Sequence, residues 1–232
     1  MKKIVALLFL FAFCLMAADF WQKPYTEWPD KDLQKMMTNS PWAHTVSVSM
    51  GAPITTPETG HGGGSGGGGG RGGPQGGAGG GADAPIPGIR EPEIVARWQS
   101  AMPIRQAFVR LKYGAEAGKS DDAQKYLGKE QTTYEVVLSG PLQPFLRGKP
   151  DEIAKNLSEV TFLSTKEKGA VKPTSIEVGK PGPSMDVLIA FPRSMPFALD
   201  DKEVEFSTKL GTSTVKIKFR LKDMVYSGKL EM

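Results

Sequence analysis

Residues 203–222 read EVEFSTKLGTSTVKIKFRLK, and this stretch decides the fold class. Val204, Phe206, Thr208 and Leu210 alternate with Glu203, Glu205, Ser207 and Lys209. Val215, Ile217, Phe219 and Leu221 alternate in the same way with Lys216, Lys218, Arg220 and Lys222. Successive side chains of a strand point to opposite faces, so each half presents one apolar and one polar face. With Gly211-Thr212-Ser213-Thr214 as the connection, the pair reads as a β-hairpin with one buried face. Pairing Leu210 with Val215 sets Glu205 opposite Arg220 and Glu203 opposite Lys222, and opposite charges across the strands support that register.

Working outward, residues 91–232 read as one main domain. Glu93 to about residue 99 is strand-like, and Pro103 opens a helix over about 103–113. Ile104, Ala107, Phe108 and Leu111 share one face of that helix. Ser120 is placed to cap a short helix whose first turn holds Asp121 and Asp122. Thr132–Leu138 is strand-like, Pro150-Asp151-Glu152 starts another helix, and strands follow near 160–166, 174–178 and 185–191. The end, residues 223–232, reads as a last strand with a glycine bulge or turn. The fold class is α+β: a mostly antiparallel β-sheet with a few short helices, interrupted by a disordered Gly-rich linker.

Residues 19–50 form a Trp-rich helix plus strand that docks on the main domain. Leu33, Met36 and Met37 lie on one face of a helix that Pro29 opens and Ser40-Pro41 stops. Trp21, Tyr25, Trp28 and Trp42 surround it, and Val46–Met50 alternates as a strand whose partner is Glu93–Trp98. Tryptophans in such a setting read as core before binding surface. Residues 51–90 are dominated by glycine, which loses much entropy on ordering and has nothing to bury, so a flexible coil with a span of ~35 Å is expected.

The first eighteen residues have the layout of a cleavable signal peptide: Lys2-Lys3, an apolar run from Ile4 to Met16, then Ala17-Ala18. The run is short for a membrane span, which needs ~20 residues. Two rival readings stand beside it. Cys14 follows Phe13 where a lipoprotein needs a small residue, and Met16 is bulky for the cleavage pattern, which would favour an uncleaved anchor. The expected location is extracytoplasmic, periplasmic or secreted, with no transmembrane segment after cleavage.

Composition excludes several chemistries. The chain carries 29 basic and 25 acidic residues, one cysteine and two histidines. Loss of Lys2 and Lys3 with the leader leaves the mature charge near zero, which argues against nucleic acid. The single cysteine, Cys14, lies in the leader, so no disulfide framework, thiolate metal site or cysteine nucleophile is expected. Gly114–Ser120 imitates a phosphate loop but has three residues where four are needed, and it follows a helix. Gly63-Gly64-Ser65-Gly66-Gly67 matches a nucleophile elbow only because polyglycine matches many patterns. His44 and His61 read as ordinary surface histidines. Asp121-Asp122 and Asp200-Asp201 are explained by a helix start and a turn. The basic stripe Lys216, Lys218, Arg220 and Lys222 is offset by Glu203 and Glu205. No catalytic, cofactor-binding or metal-ligating residue is assigned, and no cofactor is expected.

Three stretches carry a resemblance. They are Trp21-x-Lys23 with Thr26-Glu27-Trp28 running to Ser40-Pro41-Trp42-Ala43, then Arg97-Trp98-x-Ser100-Ala101-x-Pro103, and the end, Phe219 to Glu231. In these the chain resembles an uncharacterised family of exported bacterial proteins with no assigned activity. The resemblance implies an exported location and a single cooperative unit, and it supplies no catalytic residue. The expected function is a non-catalytic binding or structural role in the cell envelope, with an envelope or extracellular protein as the class of partner. The alternative is an extracytoplasmic enzyme with a carboxylate- or serine-based site.

Overall fold

A computed structural model describes residues 19–48, 54–55 and 91–232. The expected leader at 1–18, His61 and all but two residues of the expected linker at 51–90 lie outside them. The chain is α+β, with two five-stranded sheets facing one another and short helices around their ends.

The elements in order are α1 (Asp30–Thr38), β1 (Ala43–Ser47), β2 (Ile54–Thr55), β3 (Glu93–Trp98), α2 (Met102–Tyr113), α3 (Asp121–Gly128), β4 (Thr133–Gly140), α4 (Pro150–Val160), β5 (Phe162–Thr165), β6 (Gly169–Val171), β7 (Ser175–Val178), β8 (Met185–Pro192), β9 (Glu203–Leu210), β10 (Ser213–Arg220), β11 (Val225–Tyr226) and β12 (Lys229–Leu230). One sheet has the order β1-β3-β4-β8-β7 and the other β2-β10-β9-β5-β6, while β11 and β12 form a small separate ribbon. All pairs are antiparallel except β2 with β10.

The inner faces follow the period of two. Ile94, Ala96 and Trp98 of β3 and Val136 and Leu138 of β4 are buried on one side. Val204, Phe206, Val215, Ile217 and Phe219 of β9 and β10 are buried on the other. The sheets meet edge-to-face, with Trp98 against Phe219 at 5.7 Å and Phe191 against Phe206 at 6.5 Å between ring centroids. Such pairs add about 0.5–1.5 kcal/mol beyond their burial.

The hairpin register differs from the sequence reading. Leu210 lies opposite Ser213 rather than Val215, Glu205 opposite Lys218 and Glu203 opposite Arg220. The loop is the two residues Gly211-Thr212, and Gly211 has φ 61°, the left-handed first position of a type II′ turn. The slip is two residues, so every side chain keeps its face. The charges still pair, but diagonally, Lys216 to Glu205 at 3.2 Å and Lys218 to Glu203 at 3.0 Å.

Two other expectations shift. The strand expected over 46–50 begins three residues earlier, because Ser40 and Ala43 exchange backbone hydrogen bonds of 2.9 and 3.1 Å and turn the chain at once. Its partner is β3, with Val46 opposite Ile94. In α2, Phe108 and Leu111 are 39% and 42% exposed, whereas Ile104, Arg105, Ala107 and Val109 are buried. Arg105 takes the place because its guanidinium donates to the Tyr126 carbonyl and lies over the Tyr126 ring at 5.1 Å. Ser120 caps α3 as its sequence position implies, accepting from the Ala123 N–H.

Candidate binding cleft

The end of the chain builds one side of a surface cleft. After β10, a short turn at Leu221–Asp223 leads into β11, and Ser227-Gly228 returns the chain into β12. Ser227 and Gly228 have φ 48° and 77°, both left-handed, as a two-residue type I′ turn requires. The turn forms a lip of the cleft.

Two of the lining rings, Trp21 and Tyr226, pack against Trp42, which does not itself line the cleft. Trp42 is fully buried and stands edge-on to Trp21 at 5.7 Å and to Tyr226 at 6.4 Å. Its indole N–H donates to the Glu231 carbonyl at 2.8 Å. The Glu231 carboxylate accepts from the Met102 N–H at 3.2 Å, and the Tyr226 hydroxyl donates to the Gln106 side-chain carbonyl at 2.7 Å. Burial raises the Tyr226 phenol above its ordinary value, and Glu231 adds to this against the opposing Gln106 bond, so the hydroxyl remains a donor at neutral pH.

The cleft is open to solvent, has a volume of about 740 Å³ and is lined by Trp21, Tyr226, Arg220, Lys222, Asp19 and Asp223, among others. Arg220 Nε lies 2.9 Å from Asp223 Oδ2. The wall thus mixes two cations, two carboxylates, amide and hydroxyl groups with two aromatic rings. It offers hydrogen-bond donors and acceptors beside two aromatic rings.

The remaining sequence candidates fall elsewhere. Asp121 and Asp122 are exposed at the start of α3, and Gly114–Gly118 is a 3₁₀ turn following α2, unlike a phosphate loop. Asp201 is a buried structural anchor: it accepts from Lys168 Nζ at 2.6 Å and from the Ala198 N–H at 2.7 Å. Burial works to raise its carboxyl, and these partners outweigh it, leaving the group below the ordinary carboxylate range. The Ser65 motif lies outside the described residues. Among the described residues no three metal-ligating side chains converge, and no helix is long and apolar enough to cross a membrane.

Two features escaped the sequence reading. Arg97, on the outer face of β3, donates to Ser139 Oγ at 2.8 Å, and that hydroxyl donates to Asp186. Arg97 Nη2 also lies 4.0 Å from Asp186. Burial lowers the guanidinium from its ordinary value against the pull of Asp186 and Tyr126. The residues share a face only because β3, β4 and β8 are neighbours.

His44 is the second. It belongs to β1 itself and is half-buried on the inner face, its ring 4.8 Å from that of Phe219. The ordinary surface histidine of the sequence reading is therefore corrected: register opposite Ala96 turns it inward. Burial, and secondarily Arg220, lower its pKa below the ordinary 6.5. The folded state keeps His44 neutral while the unfolded chain takes up a proton near 6.5, so stability is full above that pH. It is lost as pH falls through the lowered folded-state pKa. Urea midpoints at pH 8 and pH 5.5 should fall for the parent and fall less for His44→Gln. Equal losses in the two proteins would remove His44 as the cause.

No family model matches this chain, and neither a curated protein nor a solved structure proves detectably similar to it.

Proposed function

We propose that this chain is an exported binding module whose ligand enters the cleft between Trp21 and the Ser227-Gly228 lip. The observation that carries the reading is the contrast between the packed support of the cleft and its open wall. Trp42, against which the lining rings Trp21 and Tyr226 pack, is fully buried and bonded to Glu231, whereas the lining residues Lys222, Gln22 and Ser227 are exposed. Recognition of a ligand needs such a prepared surface, with polar groups placed before the ligand arrives. The export part of the reading rests on the leader-like sequence at 1–18.

Replacement of Lys222 by a photoreactive amino acid tests this in the cells that make the protein. Irradiation should give a discrete, recurrent adduct. The same amino acid at Glu177, exposed on β7, should give none. Equal labelling from both positions, or none from Lys222, would refute the cleft as a binding site.

A further inference from the structure

We infer that the ligand of this cleft is a saccharide carrying little net charge, an inference that rests on the binding reading above. The volume of about 740 Å³ suits a ligand of a few rings. A lipid tail or drug-like apolar ligand would need a mostly apolar lining, yet Asp19, Gln22, Arg220, Lys222, Asp223 and Ser227 share this one. Phosphate or sulfate would gain from Lys222, but Arg220 is already engaged by Asp223 at 2.9 Å, and that carboxylate lines the same space. A cation would meet the opposite conflict. A hydroxyl group both donates and accepts, so the hydroxyls of a sugar can be satisfied by each of these side chains, cation, carboxylate and amide alike.

The rings supply the second half of the match. The face of an aromatic ring is electronegative, and the C–H face of a pyranose is weakly positive and apolar. Trp21 and Tyr226 flank the fully buried Trp42, each nearly perpendicular to it, at 88° and 87°. Their orientation is fixed before a ligand binds, which limits the side-chain entropy lost on binding. A sugar laid on Trp21 would place its hydroxyl rim toward Lys222, Asp223 and the lip.

Saturation-transfer NMR of the purified protein tests this with soluble neutral, amino-sugar, uronic-acid and sulfated oligosaccharides. Transfer to a neutral or amino-sugar oligosaccharide is expected. Trp21→Leu should weaken it about tenfold, the loss of a stacked ring and its contacts. Lys222→Ala, a change at an exposed side chain that leaves the fold intact, should weaken it about threefold. Circular dichroism should match the parent in both variants. Binding that neither variant alters, or binding confined to sulfated sugars, would overturn the inference. So would silence from every sugar while the Lys222 cross-linker captures a protein, and the binding-module reading would then survive with a protein ligand. Silence in both experiments would remove both readings.

Discussion

Trp42→Ala should lower the unfolding free energy by about 3–5 kcal/mol, the range for removing a large aromatic from a packed interior. The indole is fully buried. Its loss strips the edge-to-face contacts to Trp21 and Tyr226 and leaves the Glu231 carbonyl without its donor. Trp42→Phe keeps an aromatic ring and removes the donor, so about 1–2 kcal/mol is expected from the unsatisfied carbonyl and the smaller ring. Urea unfolding followed by circular dichroism gives both values. The parent should show one transition, since Trp42 ties residues near the start of the described chain to its last turn. A Trp42→Ala protein within about 1 kcal/mol of the parent would show that the packing behind the cleft is not integral to the core.

Gly140→Ala should be the next most damaging change, at about 3 kcal/mol. Gly140 has φ 143°, which L side chains rarely adopt. A Cβ there would stand 2.8 Å from the Glu93 carbonyl and 3.2 Å from the Ile94 Cα. Both are backbone atoms of β3 and cannot swing aside. Gly128→Ala is the matched control: its Cβ would meet nothing within 4 Å. That change should be neutral or stabilise by about 0.4–1 kcal/mol through the unfolded chain. Thermal or urea melts of the two variants should therefore move in opposite directions or differ by several kcal/mol. Equal melts would show that the close approach of β3 to Gly140 is not rigid.

The hairpin shows what a sequence can and cannot specify. Alternation from Glu203 to Leu221 is a local property, and it placed Val204, Phe206, Ile217 and Phe219 inside. Register depends on the turn, and Gly211 can serve either a four-residue or a two-residue loop. Opposite charges did not decide between them, because the basic residues Lys216, Lys218, Arg220 and Lys222 recur at every second position, so Glu203 and Glu205 meet a cation in either register. Trp28 and Trp42 were legible as core from their packing around an amphipathic helix. The cleft was not legible, since Trp21 and Tyr226 come from opposite ends of the chain and neither has a local signal of a binding role. The same holds for Arg97, Ser139 and Asp186, which are neighbours only across strands. His44 was misplaced because the strand was expected to begin at Val46; starting at Ala43, β1 takes in His44, which shares the inward parity of Val46.

The outermost strands have a bearing on how the molecule behaves in company. β7 ends one sheet and β6 the other, with four and three residues. Lys172 and Pro173 join them, and Lys180, Pro181 and Pro183 follow β7. Lys172 is engaged with Glu159 of α4 at 3.0 Å. A rim this short has few open backbone groups, and proline and lysine beside it discourage a further strand from adding on. At these two rims the architecture is guarded against growing into fibrils, leaving the molecule's associations to its side chains.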